Sequence, residues 1–277
     1  MSGFDDFKKT KEYVVCIDSD GCAMDTMNIK HIKCFGPCMV EEWGLQQWQD
    51  EILKSWNQVN LYTVTRGINR FKGLATALKE VNDTYMPISG VELLVDWAEN
   101  APELSNPAVK EKSKEHEIFQ KALSWSNAVN EAIEQLPKEE VRPFDGVKEA
   151  LEKIHKSCNI AVVSSANPKA VKDEWERFGL LDYVDLLCTQ DMGSKAFCIG
   201  EIKKKGFESS KVLMCGDAVG DMKAAAEKGV FYYPIMVNHE KESWSRMKEE
   251  ALERFLSGTY EGGFQDTVLR EFLDNLR

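Results

Sequence analysis

The pattern of apolar and polar positions divides the chain into three stretches. Residues 13–17, Tyr-Val-Val-Cys-Ile, are a short apolar run, rich in β-branched and aromatic side chains and free of charge. Such a run predicts a strand buried on both faces, as in a parallel sheet. The pattern then disappears, and apolar residues recur at helical spacing instead. Trp43, Leu45, Trp48, Ile52, Leu53 and Trp56 predict a helix over 43–59. Similar spacing predicts helices over 74–81, 91–98 and 118–136, the last stopped by Pro137. From 141 strands and helices alternate. Strands are predicted at 159–163, 183–188, 211–215 and 230–235. Helices are predicted at 147–156, from Asn167-Pro168 to 178, at 196–205 and up to 227. Asp145 is placed to cap the first of them and Pro168 sits in the first turn of the second. Two amphipathic helices, about 241–256 and 267–276, close the chain. Alternation of this kind implies a parallel sheet with helices on both faces. The expected architecture is therefore α/β, a doubly wound parallel sheet built from 1–26 and 142–277, with an all-helical domain at 27–141 inserted into it.

The strand ends carry the chemistry. Asp18-Ser19-Asp20-Gly21 follows the first apolar run directly, so two carboxylates stand one residue apart at the edge where open α/β sheets bind ligands. Crowded acids favour a cation or a shared proton. Asp and Gly after a strand are also ordinary turn residues. A calcium loop of the EF-hand type fails, because Cys22 stands where a third ligand is needed, Gly21 comes too early and Ile29 occupies the twelfth position. Other strand ends supply further groups: Ser164, Lys195 just before a helix, and Asp217 and Asp221 after the 211–215 run. The last two are four apart and share a face where a helix begins. Several acids around a hard cation call for Mg²⁺, and a hydroxyl and an ammonium beside it suit a phosphoryl group.

Composition narrows the partners. Of 277 residues, 43% are hydrophobic and 29% charged, the balance of a globular protein, and the net charge is −11. That charge argues against nucleic acid or an anionic membrane as a general partner. It also means that an anionic substrate needs local positive charge. The stretch from Thr65 to Gly73 has Arg66, Arg70, Lys72, two glycines and no acid. It reads equally as an anion-binding loop before a helix or as a solvated turn. The eight cysteines are dispersed and read mostly as reduced core residues; Cys34 and Cys38 are the close pair, without a second pair to complete a zinc site. The first residues lack the apolar stretch of a signal peptide, and no run is long enough to span a membrane. The expected location is cytoplasmic.

Taken together, the motifs resemble those of the haloacid dehalogenase superfamily of phosphohydrolases. That superfamily carries D-x-D-G after its first strand, then a Ser or Thr, a Lys, and G-D-x-x-x-D after a later strand. Here these are Asp18 to Gly21, Ser164, Lys195, and Gly216-Asp217 through Asp221. Each motif alone is weak, and their order at four strand ends is what makes the resemblance specific. It covers the two flanking segments but not the insert, which lies where the superfamily places a helical cap. The resemblance implies Asp18 as nucleophile and Asp20 as general acid and base. It implies Mg²⁺ held by Asp18, the Asp20 backbone carbonyl and Asp217, with Asp221 as a further ligand or a support. Ser164, Lys195 and the backbone around Gly21 would bind the phosphoryl oxygens, and Arg66 and Arg70 are candidates for the rest of the substrate. Cys22 departs from the family's usual Thr. The acid at Asp20 separates the chain from the dehalogenase branch. The expected activity is a phosphatase for a small phosphorylated metabolite. A sugar-phosphate mutase like β-phosphoglucomutase is the alternative, and a phospho-acceptor signalling domain a distant third, since receivers are shorter and lack both the cap and the second acid.

Overall fold

The computed structural model describes residues 3–277. The chain forms two compact units, one made of the residues up to Met27 together with Lys138–Arg277, the other of Asn28–Pro137.

The first unit is built on five parallel strands: β1 (Tyr13–Ile17), β2 (Cys158–Val163), β3 (Leu186–Cys188), β4 (Val212–Gly216) and β5 (Phe231–Pro234). Their order is β3-β2-β1-β4-β5. Every residue of β2 and β4 is buried, and all of β1 except Tyr13, which is why these strands read as unbroken apolar runs. The chain winds outward from β1 through β2 to β3, then crosses back to place β4 on the other side of β1. The strand order therefore reverses between β1 and β4, the crevice in which open α/β sheets bind their ligands. Ile17 pairs with Val162 on one side and Cys215 on the other, so β1, β2 and β4 end at the same level.

Helices Val147–His155, Pro168–Arg177, Lys195–Lys204 and Val219–Lys228 connect the strands and flank the sheet. Asn167 caps the second, accepting from the amides of Lys169 and Ala170, as Asn-Pro at a helix start predicts. Three expectations need correction. The first helix is not capped by Asp145: Gly146, in the left-handed region at φ 88°, precedes it, and the Asp145 carboxylate meets Lys241 at 3.2 Å. The strand expected at 183–188 is confined to Leu186–Cys188, because Leu181–Tyr183 forms a 3₁₀ turn and the Asp185 side chain accepts from the Ile160 amide at 2.8 Å. The penultimate helix has a π turn, Met247–Ala251, between Glu240–Arg246 and Leu252–Ser257. The last helix, Gly263–Asn275, sets Phe272 edge-on to Tyr232 of β5.

Every regular element of the second unit is helical among its described residues. Its helices are Gly36–Trp43, Gln49–Leu61, Arg70–Thr84, Val91–Asn100, Asn106–Lys112 and Glu117–Glu134. The helix expected over 43–59 is two helices, because Gly44 turns left-handed at φ 67° and ends the first. The helix expected from 74 begins at Arg70, where Asn69 accepts from the Phe71 amide. Asn106–Lys112 carried no periodic signal, since it buries only Val109. The core of the unit is aromatic. Trp125 and Trp56 are fully buried and meet edge-on at 6.2 Å, and Phe71 lies edge-on to both Trp125 and Trp97.

Candidate active site

Asp18 is the first residue past β1. Its amide still donates to Cys215 O at 3.0 Å, so the ladder with β4 persists to the point where the carboxylate begins. The chain then folds into a tight turn organised on Ser19. The Ser19 carbonyl accepts from the amides of Cys22, Ala23 and Met24 at 3.2, 3.0 and 2.8 Å. Gly21 takes φ 83° and donates to Met24 O, a conformation that suits glycine at this position. The Ser19 amide donates to Asp18 Oδ1 at 2.7 Å. Asp20 rides on the turn, and the buried Thr26 hydroxyl donates to its Oδ1 at 2.6 Å. Trp244 Nε1 donates to Cys22 O, and the amides of Phe144 and Asp25 close against Ala23 O and Arg142 O.

β4 delivers the other acids. Asp217 follows Gly216, and Asp221 opens the helix behind it, its Oδ2 accepting from the Ala218 amide at 3.1 Å. A Cβ on Gly216 would lie 2.4 Å from Asp221 Oδ2, so only glycine leaves this carboxylate its place. The Gly216 carbonyl is fixed from behind by Tyr232 OH and the Ile235 amide, both at 2.8 Å. Lys195 enters at the start of its helix, whose N-cap is Ser194. Its Nζ reaches Asp18 Oδ2 at 2.7 Å and Asp221 Oδ1 at 2.5 Å. Carboxylate oxygens of Asp18, Asp217 and Asp221 lie within 4.8 Å of one another, with the three residues 6%, 1% and 0% exposed.

Burial dominates the electrostatics of this cluster. It pushes the Asp18 carboxyl up to about 7, against the pull of Lys195 and with a further push from Asp221. Asp221 is raised in the same way, by burial first, with Lys195 opposing and Asp217 adding to the rise. Burial works against the Lys195 ammonium, but Asp18 and Asp221 outweigh it and hold the group charged. One ammonium among three buried carboxylates leaves an excess of negative charge in a low-dielectric site. The donors are all hard oxygens, so the residues fit a divalent cation such as Mg²⁺.

Ser164, directly after β2, is buried; its amide donates to Cys188 O and its Oγ accepts from the Ala166 amide at 3.2 Å, while the neighbouring Ser165 is exposed. Cys22, in place of a hydroxyl residue, is buried, with its thiol 3.6 Å from Cys215 O; burial first, then the Asp18 charge, pushes that thiol well up. The structure thus brings Asp18, Lys195 and Asp221 into contact with the Asp217 carboxylate within 4.8 Å of the other two acids, sets Asp20 and Gly21 on the adjoining turn, and places Ser164 at the neighbouring strand end. Arg66 and Arg70 belong to the second unit. Arg66 is buried and donates to Leu61 O at 2.8 Å. The Arg70 guanidinium donates to Ser126 O, Ser126 Oγ and Asn130 Oδ1, and lies 5.1 Å from the Phe35 ring centroid. Sequence reasoning missed Ser19, Thr26 and Trp175. No spacing rule marks them, because their roles come from single contacts made by the folded turn.

Comparison with known proteins agrees with this geometry. The family model for haloacid dehalogenase-like hydrolases matches residues 98–234. That stretch contains Ser164, Lys195, Asp217 and Asp221, and begins beyond Asp18. The match, the motifs and the sheet all agree with a haloacid dehalogenase-like hydrolase. No curated protein matches the sequence. Among solved structures, a haloacid dehalogenase-like family hydrolase from Streptococcus pneumoniae is 13% identical, at a TM-score of 0.53 over 87% of this chain and 93% of that one. A candidate haloacid dehalogenase-like hydrolase from Bacteroides fragilis gives 14% and 0.54, over 84% and 93%. A candidate phosphoglycolate phosphatase from Lactobacillus delbrueckii subsp. bulgaricus gives 15% and 0.52, over 80% and 85%. At these identities the likeness is one of fold, a Rossmann-like α/β core with a helical cap. Among the described residues no helix is long and apolar enough to cross a membrane.

Proposed function

We propose that the chain is a Mg²⁺-dependent phosphatase that hydrolyses a small phosphorylated metabolite in the cytoplasm through a phosphorylated Asp18. The observation that carries this reading is the Lys195 ammonium bridging Asp18 and Asp221 within a buried cluster of three carboxylates. A carboxylate between an ammonium and a bound cation would be ionised and close to groups that attract phosphoryl oxygens, the arrangement an anionic nucleophile needs to approach an anionic substrate.

Asp18 attacks phosphorus, and the bond from phosphorus to the substrate oxygen breaks. Asp20 gives its proton to that oxygen. A water then attacks the phosphoryl group on Asp18, Asp20 takes the water's proton, and Asp18 leaves with the bonding pair. Ser164, Lys195 and the amides around Gly21 hold the phosphoryl oxygens. Asp18, the Asp20 carbonyl, Asp217 and Asp221 would hold Mg²⁺, Asp221 directly or by fixing its neighbours. The bound cation supplies charge stabilisation for the transferring group. The helical insert acts as the cap that selects the substrate, with Arg66 and Arg70 as its cationic contacts.

The test is turnover of a panel of phosphorylated metabolites, with p-nitrophenyl phosphate as generic substrate, with Mg²⁺ and after chelation. Release of inorganic phosphate that requires Mg²⁺ supports the reading. Isomerised sugar phosphate without phosphate release would assign a mutase instead, and no Mg²⁺-dependent turnover of any kind would refute both.

A further inference from the structure

Ser19, between the two acids of the first motif, is fully buried, and each of its polar groups is engaged. Its amide holds one oxygen of Asp18 while Lys195 holds the other, so two donors fix the plane of that carboxylate. Its carbonyl gathers three amides and thereby shapes the turn that carries Asp20. The remaining group is the hydroxyl. It accepts from Trp175 Nε1 at 2.9 Å, across 156 residues of sequence.

Trp175 is fully buried on helix Pro168–Arg177, whose N-cap Asn167 lies just beyond Ser164. The helix therefore has Ser164 at one end, and near its other end an indole that grips the residue between the nucleophile and the acid. A buried indole N–H needs an acceptor, and a backbone carbonyl of the core would satisfy it equally well. Here the acceptor is the residue whose backbone sets both acids. We infer that Trp175 is a positioning residue, which acts through Ser19 to hold Asp18 and Asp20 in register with each other and with the Ser164 loop. The inference rests on the reading of Asp18 as nucleophile and goes beyond it, since neither the motifs nor the family match singles out either residue.

The physical basis is orientation. An attacking carboxylate and its acid partner must be held to a fraction of an ångström, and a misplacement of about 1 Å can cost about 10²-fold in rate. Substrate affinity depends on groups that Trp175 does not touch, so the effect belongs in kcat and not in KM.

The experiment is a double-mutant cycle with Trp175→Phe, which keeps most of the ring and removes the N–H, and Ser19→Ala, which removes the acceptor. Turnover of p-nitrophenyl phosphate with Mg²⁺ and melting temperature are measured for each variant and for the pair. Asp18→Asn is the control. The expected result is a kcat lowered by about 10–100-fold in either single variant, KM within about twofold, and a double variant no slower than the slower single one. Activity of Trp175→Phe within twofold of the wild type overturns the inference. So do additive losses in the double variant, or losses in kcat that vanish on cooling a destabilised variant. Where wild type does not turn over p-nitrophenyl phosphate, the cycle is run on the best substrate of the phosphometabolite panel. Should wild type turn over none of these, or Asp18→Asn keep its activity, the reading of Asp18 itself fails and the inference fails with it, while a dead Asp18→Asn beside an unimpaired Trp175→Phe isolates the failure to positioning.

Discussion

The two units of the chain use their buried polar residues in opposite ways. In the sheet unit, three carboxylates and one lysine are driven together under conditions that raise the pKa of Asp18 and Asp221, and the backbone is shaped to keep them there. In the helical unit, most buried volume is spent on interlocking aromatic rings, and one of its several buried or half-buried cations, Arg70, is held by neutral groups and by the face of Phe35. An arrangement that stores electrostatic cost points to chemistry. An arrangement that minimises it points to stability and to recognition. If the contrast is right, substitutions in the first unit should remove rate and leave the fold, while those in the second should remove stability or affinity and leave the chemistry.

The sharpest test is Asp18→Asn. It should lower turnover by several decades, as loss of a nucleophile commonly does, while the folded state persists because one buried negative charge has been removed. Near wild-type turnover would break the comparison at its strongest point. Asp20→Asn should cost about 10²–10⁴-fold in kcat while Mg²⁺ affinity, measured calorimetrically, is retained, since the proposed ligand there is a backbone carbonyl. A collapse of Mg²⁺ affinity would mean that the Asp20 side chain binds the cation.

For the second unit the corresponding substitution is Trp125→Ala. The side chain is fully buried, meets Phe35, Trp56 and Phe71, and donates to Phe35 O. Its removal should cost about 3–5 kcal/mol of stability by transfer and cavity terms, read as a lower melting temperature or denaturant midpoint. Turnover of p-nitrophenyl phosphate by the fraction that remains folded should be little changed. Loss of that turnover in a fully folded variant would show that the ring cluster participates in catalysis.

The same contrast explains what could be read from the sequence. Strands β1, β2 and β4 were legible because burial on both faces demands unbroken apolar runs, and the ends of β1 and β4 were legible because paired acids recur at both and follow the order of a known motif set. Lys195 could be listed but not linked to Asp221, since the contact depends on how the β3 connection crosses back. Ser19 stood only as the middle residue of a motif and Trp175 carried no signal, because a residue's worth as a positioning group lies in one hydrogen bond that no periodicity encodes. In the helical unit apolar spacing revealed helices but not their breaks: Gly44 and Asn69 set boundaries that the periodic positions ignore. Asp145 misled because capping chemistry was read without knowing that Gly146 would adopt a positive φ.

A milder prediction concerns pH. The Asp18 carboxyl, raised to about 7, holds its proton more tightly in the cation-free folded site than an exposed aspartate does. A cation must displace that proton, so the sign is definite: Mg²⁺ affinity should be full above pH 7 and weaken as pH falls below it, by up to about tenfold per unit while Asp18 is the group titrating. Calorimetry at pH 8, 7 and 6 checks this. Affinity that is flat from 8 to 6 would place the proton elsewhere in the cluster.

The last test concerns the second unit's part in recognition. All the hydrogen bonds of Arg70 to protein groups run from Nη1 to Ser126 and Asn130, which carry no charge, and no carboxylate of the described residues pairs with it. Burial alone lowers its pKa, to about 10, which leaves it cationic at neutral pH. On the proposed reading, a guanidinium held by neutral neighbours serves an anionic substrate, in a chain whose net charge otherwise repels anions. Arg70→Ala should therefore raise KM for the physiological phosphorylated substrate by about 10–100-fold, the equivalent of one charged hydrogen bond at about 1.5–3 kcal/mol. The kcat should stay close to wild type, because the groups that act on phosphorus are untouched. Arg70→Lys keeps the charge but loses the planar fork, and should recover only part of the affinity. A generic aryl phosphate has no second polar group to offer and should bind both variants as it binds the wild type. An equal loss for both substrates, accompanied by a fall in melting temperature, would instead show that Arg70 serves the packing of the helical unit, through Phe35 and Ser126, and takes no part in selecting the substrate.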